Sequence, residues 1–99
     1  MEISADSRAL AQELLDFIDA SPSPWHAVET VAERLRGGGF VALREDERWQ
    51  LVAGRRYYVI RGGSSIIAFA VGSAALAESG FRLVGAHTDS PGLRVKPKA

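Results

Sequence analysis

The sequence predicts an α/β fold in which two amino-terminal helices precede the first strands of a mixed, incomplete sheet. Apolar residues recur at helical spacing over the first third of the chain, and two β-rich runs then flank Gly62-Gly63. Segment 65–71 is apolar on both faces, as in a strand covered on two sides. Two helices can cover one face of such a sheet, and no further segment of these 99 residues is left for the other face. We therefore expect an incomplete α/β sandwich.

The first helix is predicted from an apolar stripe with spacing i, i+4, i+7 and i+8. The stripe consists of Leu10, Leu14, Phe17 and Ile18. It predicts a helix from about Ser7 to Ala20, with Asp6 or Ser7 as the N-cap. Ser21-Pro22 ends it, because a residue before proline is disfavoured in the helical region.

Ser23-Pro24 predicts the start of the second helix, with serine as the cap and proline at the first helical position. A second stripe follows at i, i+3, i+4 and i+7, formed by Val28, Val31, Ala32 and Leu35. The helix is expected from about Pro24 to Arg36, where Gly37-Gly38-Gly39 terminates it.

The remaining chain predicts strands and loops. Phe40 to Leu43 is expected to form a short strand, and Gly62-Gly63 to supply the two positive φ values of a type I′ hairpin turn. The hairpin strands are predicted at 57–61 and 64–71, the second of them central and covered. A loop over 72–80 leads to a further strand from Phe81 to Ala86, with His87 at its carboxyl end.

Composition excludes several classes of function. Twelve basic and twelve acidic residues give zero formal charge, so neither nucleic acid nor an acidic membrane is an expected partner. The absence of cysteine removes disulfides and thiolate chemistry. The amino terminus lacks the basic and apolar regions of a signal peptide, and no apolar run reaches the roughly 20 residues of a membrane span. We expect a soluble, cytoplasmic protein.

His87 and Asp89 form the candidate site. Residues at i and i+2 of a strand face the same side, so an imidazole and a carboxylate can project together from this strand end. Without cysteine, zinc prefers such ligands, and a ligating histidine is usually oriented by a carboxylate or carbonyl. By spacing alone, His-x-Asp is a common pattern that favours a surface histidine in a turn over a metal ligand, and Ser90-Pro91-Gly92 is equally compatible with an ordinary turn.

Other polar residues have simpler interpretations. His26 lies in the first turn of the second helix without an acidic neighbour, so it is interpreted as solvated or hydrogen-bonded locally. Glu45, Asp46 and Glu47 are interpreted as a solvated loop run. No phosphate-binding loop is predicted, and Ser90 lacks the surroundings of a hydrolase nucleophile.

Several ordered stretches nevertheless resemble the amino-terminal region of the aspartyl aminopeptidase family of zinc metallopeptidases. They are Leu15-Asp16-Phe17-Ile18-Asp19-Ala20-Ser21-Pro22-Ser23-Pro24-Trp25-His26-Ala27-Val28, Gly39-Phe40, Gly54-Arg55-Arg56-Tyr57-Tyr58, Gly62-Gly63-Ser64-Ser65-Ile66-Ile67-Ala68-Phe69, Val84-Gly85-Ala86-His87-Thr88-Asp89-Ser90-Pro91 and Leu93-Arg94-Val95-Lys96-Pro97. The resemblance covers nearly the whole chain, and it identifies residues 1–99 as the amino-terminal part of an α/β metallopeptidase catalytic domain.

The resemblance implies a two-zinc exopeptidase that removes acidic amino-terminal residues from peptides and assembles into a large homo-oligomer. It implies that His87 is a zinc ligand (Zn2+) and that Asp89 belongs to the catalytic machinery as the carboxylate that supports this ligand. In that family zinc activates a water molecule and polarises the scissile carbonyl, with a glutamate as general base. The base, the other zinc ligands and the acid-specific pocket are not among these 99 residues.

We therefore expect these residues alone to be inactive and to bind zinc weakly or not at all, since a zinc site takes three or four protein ligands. One alternative is a truncated, non-catalytic interaction or oligomerisation fragment. Another is a different two-zinc peptidase or deacylase on a similar domain. The intact His87 and Asp89 pair favours the enzyme segment.

Overall fold

The computed structural model describes residues 2–98 and contains three helices and three strands. In chain order they are α1 (Ala5–Asp19), α2 (Pro24–Gly37), β1 (Val41–Leu43), β2 (Arg56–Arg61), β3 (Ser65–Ala70) and α3 (Leu76–Ser79). Two amino-terminal helices thus precede a three-stranded mixed sheet, which confirms the predicted fold class. No helix within residues 2–98 is both long and apolar enough to cross a bilayer.

The first two helices form where the apolar stripes predicted them, but the predicted start of α1 was wrong by about two residues. Its N-cap is Ser4, whose Oγ accepts a hydrogen bond from the Ser7 backbone N–H at 3.1 Å. This bond satisfies a backbone N–H of the first turn, so Ser4 is the cap, and Asp6 and Ser7 lie inside the helix. The start of α2 is confirmed, because the Ser23 Oγ accepts from the backbone N–H of His26.

The sheet has the order β1-β2-β3. Strand β1 runs parallel to β2, and β2 pairs antiparallel with β3 so that Arg61 lies opposite Ser65. Gly62, Gly63 and Ser64 join these strands, and the two glycines have φ values of 61° and 75°. The hairpin and the two positive φ values are confirmed, but the predicted two-residue turn was wrong: the turn has three residues, because Arg61 pairs with Ser65 and leaves Ser64 outside β3.

Two strand predictions were wrong in the described chain. Strand β3 lies at the edge of the sheet instead of its centre, and Ile67 remains 67% exposed. Residues 81–86 form no strand, while the predicted loop before them contains the short helix α3. Strand formation requires a neighbour that accepts and donates backbone hydrogen bonds, and segment 81–86 meets none within residues 2–98.

The core is small, and its buried residues belong to α2 and β2. Its buried apolar residues are Ala27, Val28, Ala32, Tyr57, Tyr58 and Val59. The Tyr58 hydroxyl accepts a hydrogen bond from Arg36 of α2, whereas Tyr57 contacts the Phe69 ring with centroids 5.7 Å apart. Successive residues of β2 therefore bury their side chains on opposite faces of the sheet.

The molecule is much less compact than an independent domain of its length. Its radius of gyration is 17.8 Å, against about 13 Å for a compact domain of 100 residues. Helix α1 contributes no buried residue, although Arg34 of α2 places its guanidinium 5.3 Å from the Phe17 ring centre. Residues 2–98 thus form a partial sheet with one helix packed on it and a second helix beside that one.

Candidate metal centre

The structure brings His87 and Asp89 together. The Nδ1 atom of His87 lies 2.7 Å from the backbone carbonyl oxygen of Asp89 and 3.2 Å from its carboxylate Oδ1. Both distances suit a protonated Nδ1 that donates to these oxygens. The two side chains project from either side of a backbone bend at Thr88 and not from a strand end, because residues 81–86 form no strand.

This contact determines which nitrogen of His87 can bind a metal ion. A neutral imidazole that donates through Nδ1 carries its lone pair on Nε2. Ligating histidines are commonly held in this way, with the second ring nitrogen donating to a carboxylate or a backbone carbonyl. The pair therefore has the donor chemistry of one zinc ligand with its orienting partner.

Further ligands are required for a complete site. The side chains of His87 and Asp89 are 80% and 82% exposed, so neither sits in an enclosed cavity. Nowhere in residues 2–98 do three or more His, Asp or Glu side chains come close enough together to hold a metal ion. Because zinc sites use three or four protein ligands, these residues fit zinc as a contribution to a site and not as the whole of it.

The residue between His87 and Asp89 makes a contact that the sequence did not indicate. Thr88 donates its hydroxyl to the backbone carbonyl of Ser64 at 3.0 Å, across 24 positions of sequence. Ser64 is the third residue of the turn between β2 and β3, so the segment carrying the candidate ligand is attached to this hairpin. No periodic or motif signal in the sequence predicts a single long-range contact of this kind.

His26 is bonded locally, as predicted. Its Nδ1 lies 2.7 Å from the Oγ of Ser23, the residue that caps α2. Its ring is thus part of a helix cap, and no group of metal-ligating side chains forms around it among the described residues.

The acidic run Glu45 to Glu47 is exposed, but its carboxylates pair with arginines. Asp46 accepts two hydrogen bonds from Arg44, and Glu45 lies 2.7 Å from the guanidinium of Arg61. The hydrogen bond from Arg44 lowers the pKa of Asp46, and the same contact raises the pKa of Arg44. Carboxylates engaged in this way form surface ion pairs.

The elements form part of an α/β domain, and the His87 and Asp89 pair has the donor chemistry of one zinc ligand with its orienting partner. Residues 17–99 match the family described as Aminopeptidase I zinc metalloprotease (M18). The chain belongs to this family of zinc metalloproteases.

Two curated relatives illustrate the similarity. The probable M18 family aminopeptidase 2 of Stutzerimonas stutzeri is 56% identical over 89 residues, which are 90% of this chain and 21% of the relative. The same-named protein of Clostridium novyi is 48% identical over 87 residues, or 88% of this chain and 20% of the relative. The chain thus spans about a fifth of the length of the curated relatives it matches.

Solved structures give the same result. In the complex of Ape4 with Nbr1, the matching chain is 40% identical with a TM-score of 0.62, covering 73% of this chain and 15% of that one. The chain from the mApe1 dodecamer of S. cerevisiae is 38% identical with a TM-score of 0.59, covering 64% of this chain and 15% of that one. Similarity at this level supports both the fold and the family.

Proposed function

We propose that this chain supplies one zinc ligand and its orienting carboxylate to a two-zinc aminopeptidase that removes acidic amino-terminal residues from peptides. His87 is the ligand, through Nε2, and Asp89 is its partner. The rest of the site is completed by residues outside these 99. The proposal includes a cytoplasmic location and a homo-oligomer, the latter supported by the dodecameric state of the S. cerevisiae structure.

The single observation that supports this function best is that His87 Nδ1 lies close to the backbone carbonyl oxygen and to the carboxylate Oδ1 of Asp89. An imidazole held on one nitrogen presents the other in a defined direction, which is the requirement for a metal ligand. When bound, zinc supplies Lewis acidity and lowers the pKa of water. The part of His87 is to hold the ion, and that of Asp89 is to fix the ring and its tautomer and to balance the positive charge.

The decisive experiment measures zinc content and zinc affinity in the protein at its natural length. We expect His87→Ala to lose zinc and peptidase activity, because the methyl side chain of alanine has no lone pair to replace the imidazole nitrogen ligand. His26→Ala is the matched control, since His26 is also exposed and also bonded through Nδ1 to a near neighbour. Unchanged zinc content in His87→Ala would overturn the proposal.

Two finer parts of the proposal have separate tests. Substrates with Asp or Glu at the amino terminus should be cleaved in preference to those with Leu or Ala, and equal rates would refute the acidic preference. The isolated 99-residue chain should show no peptidase activity and no tight zinc binding, because it gathers too few ligands. Stoichiometric, tight binding by that chain would contradict this second part.

A further inference from the structure

Apart from the continuous backbone, the segment from Phe81 to Lys98 is hydrogen-bonded to the rest of the described molecule through one residue, Thr88. Every other residue of this segment is exposed, whereas Thr88 is half-buried. The Thr88 hydroxyl donates to the carbonyl of Ser64 at 3.0 Å. Within residues 2–98, no other hydrogen bond joins this segment to the elements before it. The position of the candidate ligand relative to the fold therefore depends on Thr88.

The acceptor for this bond is itself held in place. Ser64 follows Gly62-Gly63, whose positive φ values define the hairpin turn. A Cβ atom added to Gly63 would lie 3.1 Å from Cδ1 of Trp25, so the turn lies directly against the first turn of α2. Thr88 is thus bonded to a point where a helix and a hairpin meet, and such points move less than a free loop.

Thr88 lies between the two residues of the candidate site, at a bend in the backbone. Its side chain is half-buried and bonded to the hairpin, whereas the side chains of His87 and Asp89 are 80% and 82% exposed. Across the bend, Nδ1 of His87 lies close to the backbone carbonyl oxygen and to Oδ1 of Asp89. The hydroxyl bond therefore attaches the bend that carries both side chains to the hairpin.

We propose that Thr88 is a positioning residue that sets the direction of His87 toward the metal ion through its bond to Ser64. This inference rests on the proposed function, because it requires His87 to be a ligand. Its role is distinct from that of Asp89, which orients the ring, whereas Thr88 orients the backbone that carries the ring. Removing a partner that orients a ligand typically lowers metal affinity 10–100-fold.

The test compares Thr88→Val, which removes the hydroxyl at constant shape, with Thr88→Ser, which keeps it. Thr30→Val is the matched control, because Thr30 is also half-buried and donates to a backbone carbonyl, that of His26, at 2.8 Å. Zinc affinity is measured by competition with a chromophoric chelator, on the protein at its natural length. His87→Ala is measured in parallel.

We expect Thr88→Val to weaken zinc binding about 10–100-fold, with Thr88→Ser and Thr30→Val within about threefold of the unaltered protein. Equal affinity in Thr88→Val and the unaltered protein, while His87→Ala loses zinc, would overturn the inference and leave the proposed function intact. A loss in Thr88→Val that Thr88→Ser does not restore, or that Thr30→Val reproduces, would also overturn it. If His87→Ala kept its zinc, the proposed function and this inference would fail together.

Discussion

Replacement of Val28 by alanine tests whether the contact between α2 and the sheet holds this fold together. Val28 is 1% exposed and is the largest fully buried side chain in the described residues, whose core has six members. The change removes two buried carbon groups worth about 0.8 kcal/mol each by transfer, and the remaining cavity adds about 1 kcal/mol. We therefore expect the free energy of unfolding to fall by about 2–3 kcal/mol.

Urea denaturation followed by far-ultraviolet circular dichroism measures this change. The midpoint should fall while the slope stays constant, because the surface exposed on unfolding is nearly the same. Val52→Ala is the matched control, since Val52 is 51% exposed and its loss should cost less than about 0.5 kcal/mol. Equal midpoints for the two variants would refute the assignment of the core to α2 and β2.

Three further predictions concern the hairpin, a surface ion pair and the open edge. Gly63→Ala should destabilise the protein by about 1–2 kcal/mol in the same assay, because Gly63 has a φ of 75° and lies against Trp25, whereas Gly37→Ala, at an open position without positive φ, should not. The pKa of Asp46 lies below its usual 3.8, so its pairing with Arg44 stabilises the fold above that pH and is lost as pH falls through the lowered value. Carboxyl-detected NMR titration should show that pKa rising toward 3.8 in Arg44→Gln, and no rise would contradict the pairing. Ile67→Lys, on the edge strand β3, should reduce light scattering when the isolated chain is concentrated, and unchanged scattering would show that this edge does not drive association.

The helices and the hairpin could be predicted because their signals are local. Ser23-Pro24 fixes the start of α2 through a cap and a restricted φ, and Gly62-Gly63 fixes the hairpin because two consecutive positive φ values are needed there. The start of α1 was harder to place, because Ser4, Asp6 and Ser7 can all act as caps and only the geometry selects one.

The arrangement of the strands could not be predicted in the same way. Apolar residues on both faces of β3 indicate a need for cover, but they do not say which segment lies beside it. Residues 81–86 were predicted as a strand from their composition and form none, since strand formation also depends on a neighbouring strand. Strand pairing depends on two segments, and the residue pattern of one segment does not identify its partner.

The candidate site contains one contact that the sequence predicted and one that it did not. His87 and Asp89 lie close together as their separation of two residues suggested, although a bend at Thr88, and not the predicted strand, brings them together. The bond from Thr88 to Ser64 joins residues 24 positions apart, and neither residue type is distinctive. The functional assignment of His87 and Asp89 remains a prediction that metal measurements must test.

Anomalous diffraction at the zinc edge, from crystals of the protein at its natural length, tests the central claim most directly. We predict a zinc peak about 2.0–2.1 Å from His87 Nε2, with Nδ1 still directed at Asp89. Bound zinc remote from His87, or coordinated through its Nδ1, would contradict the account.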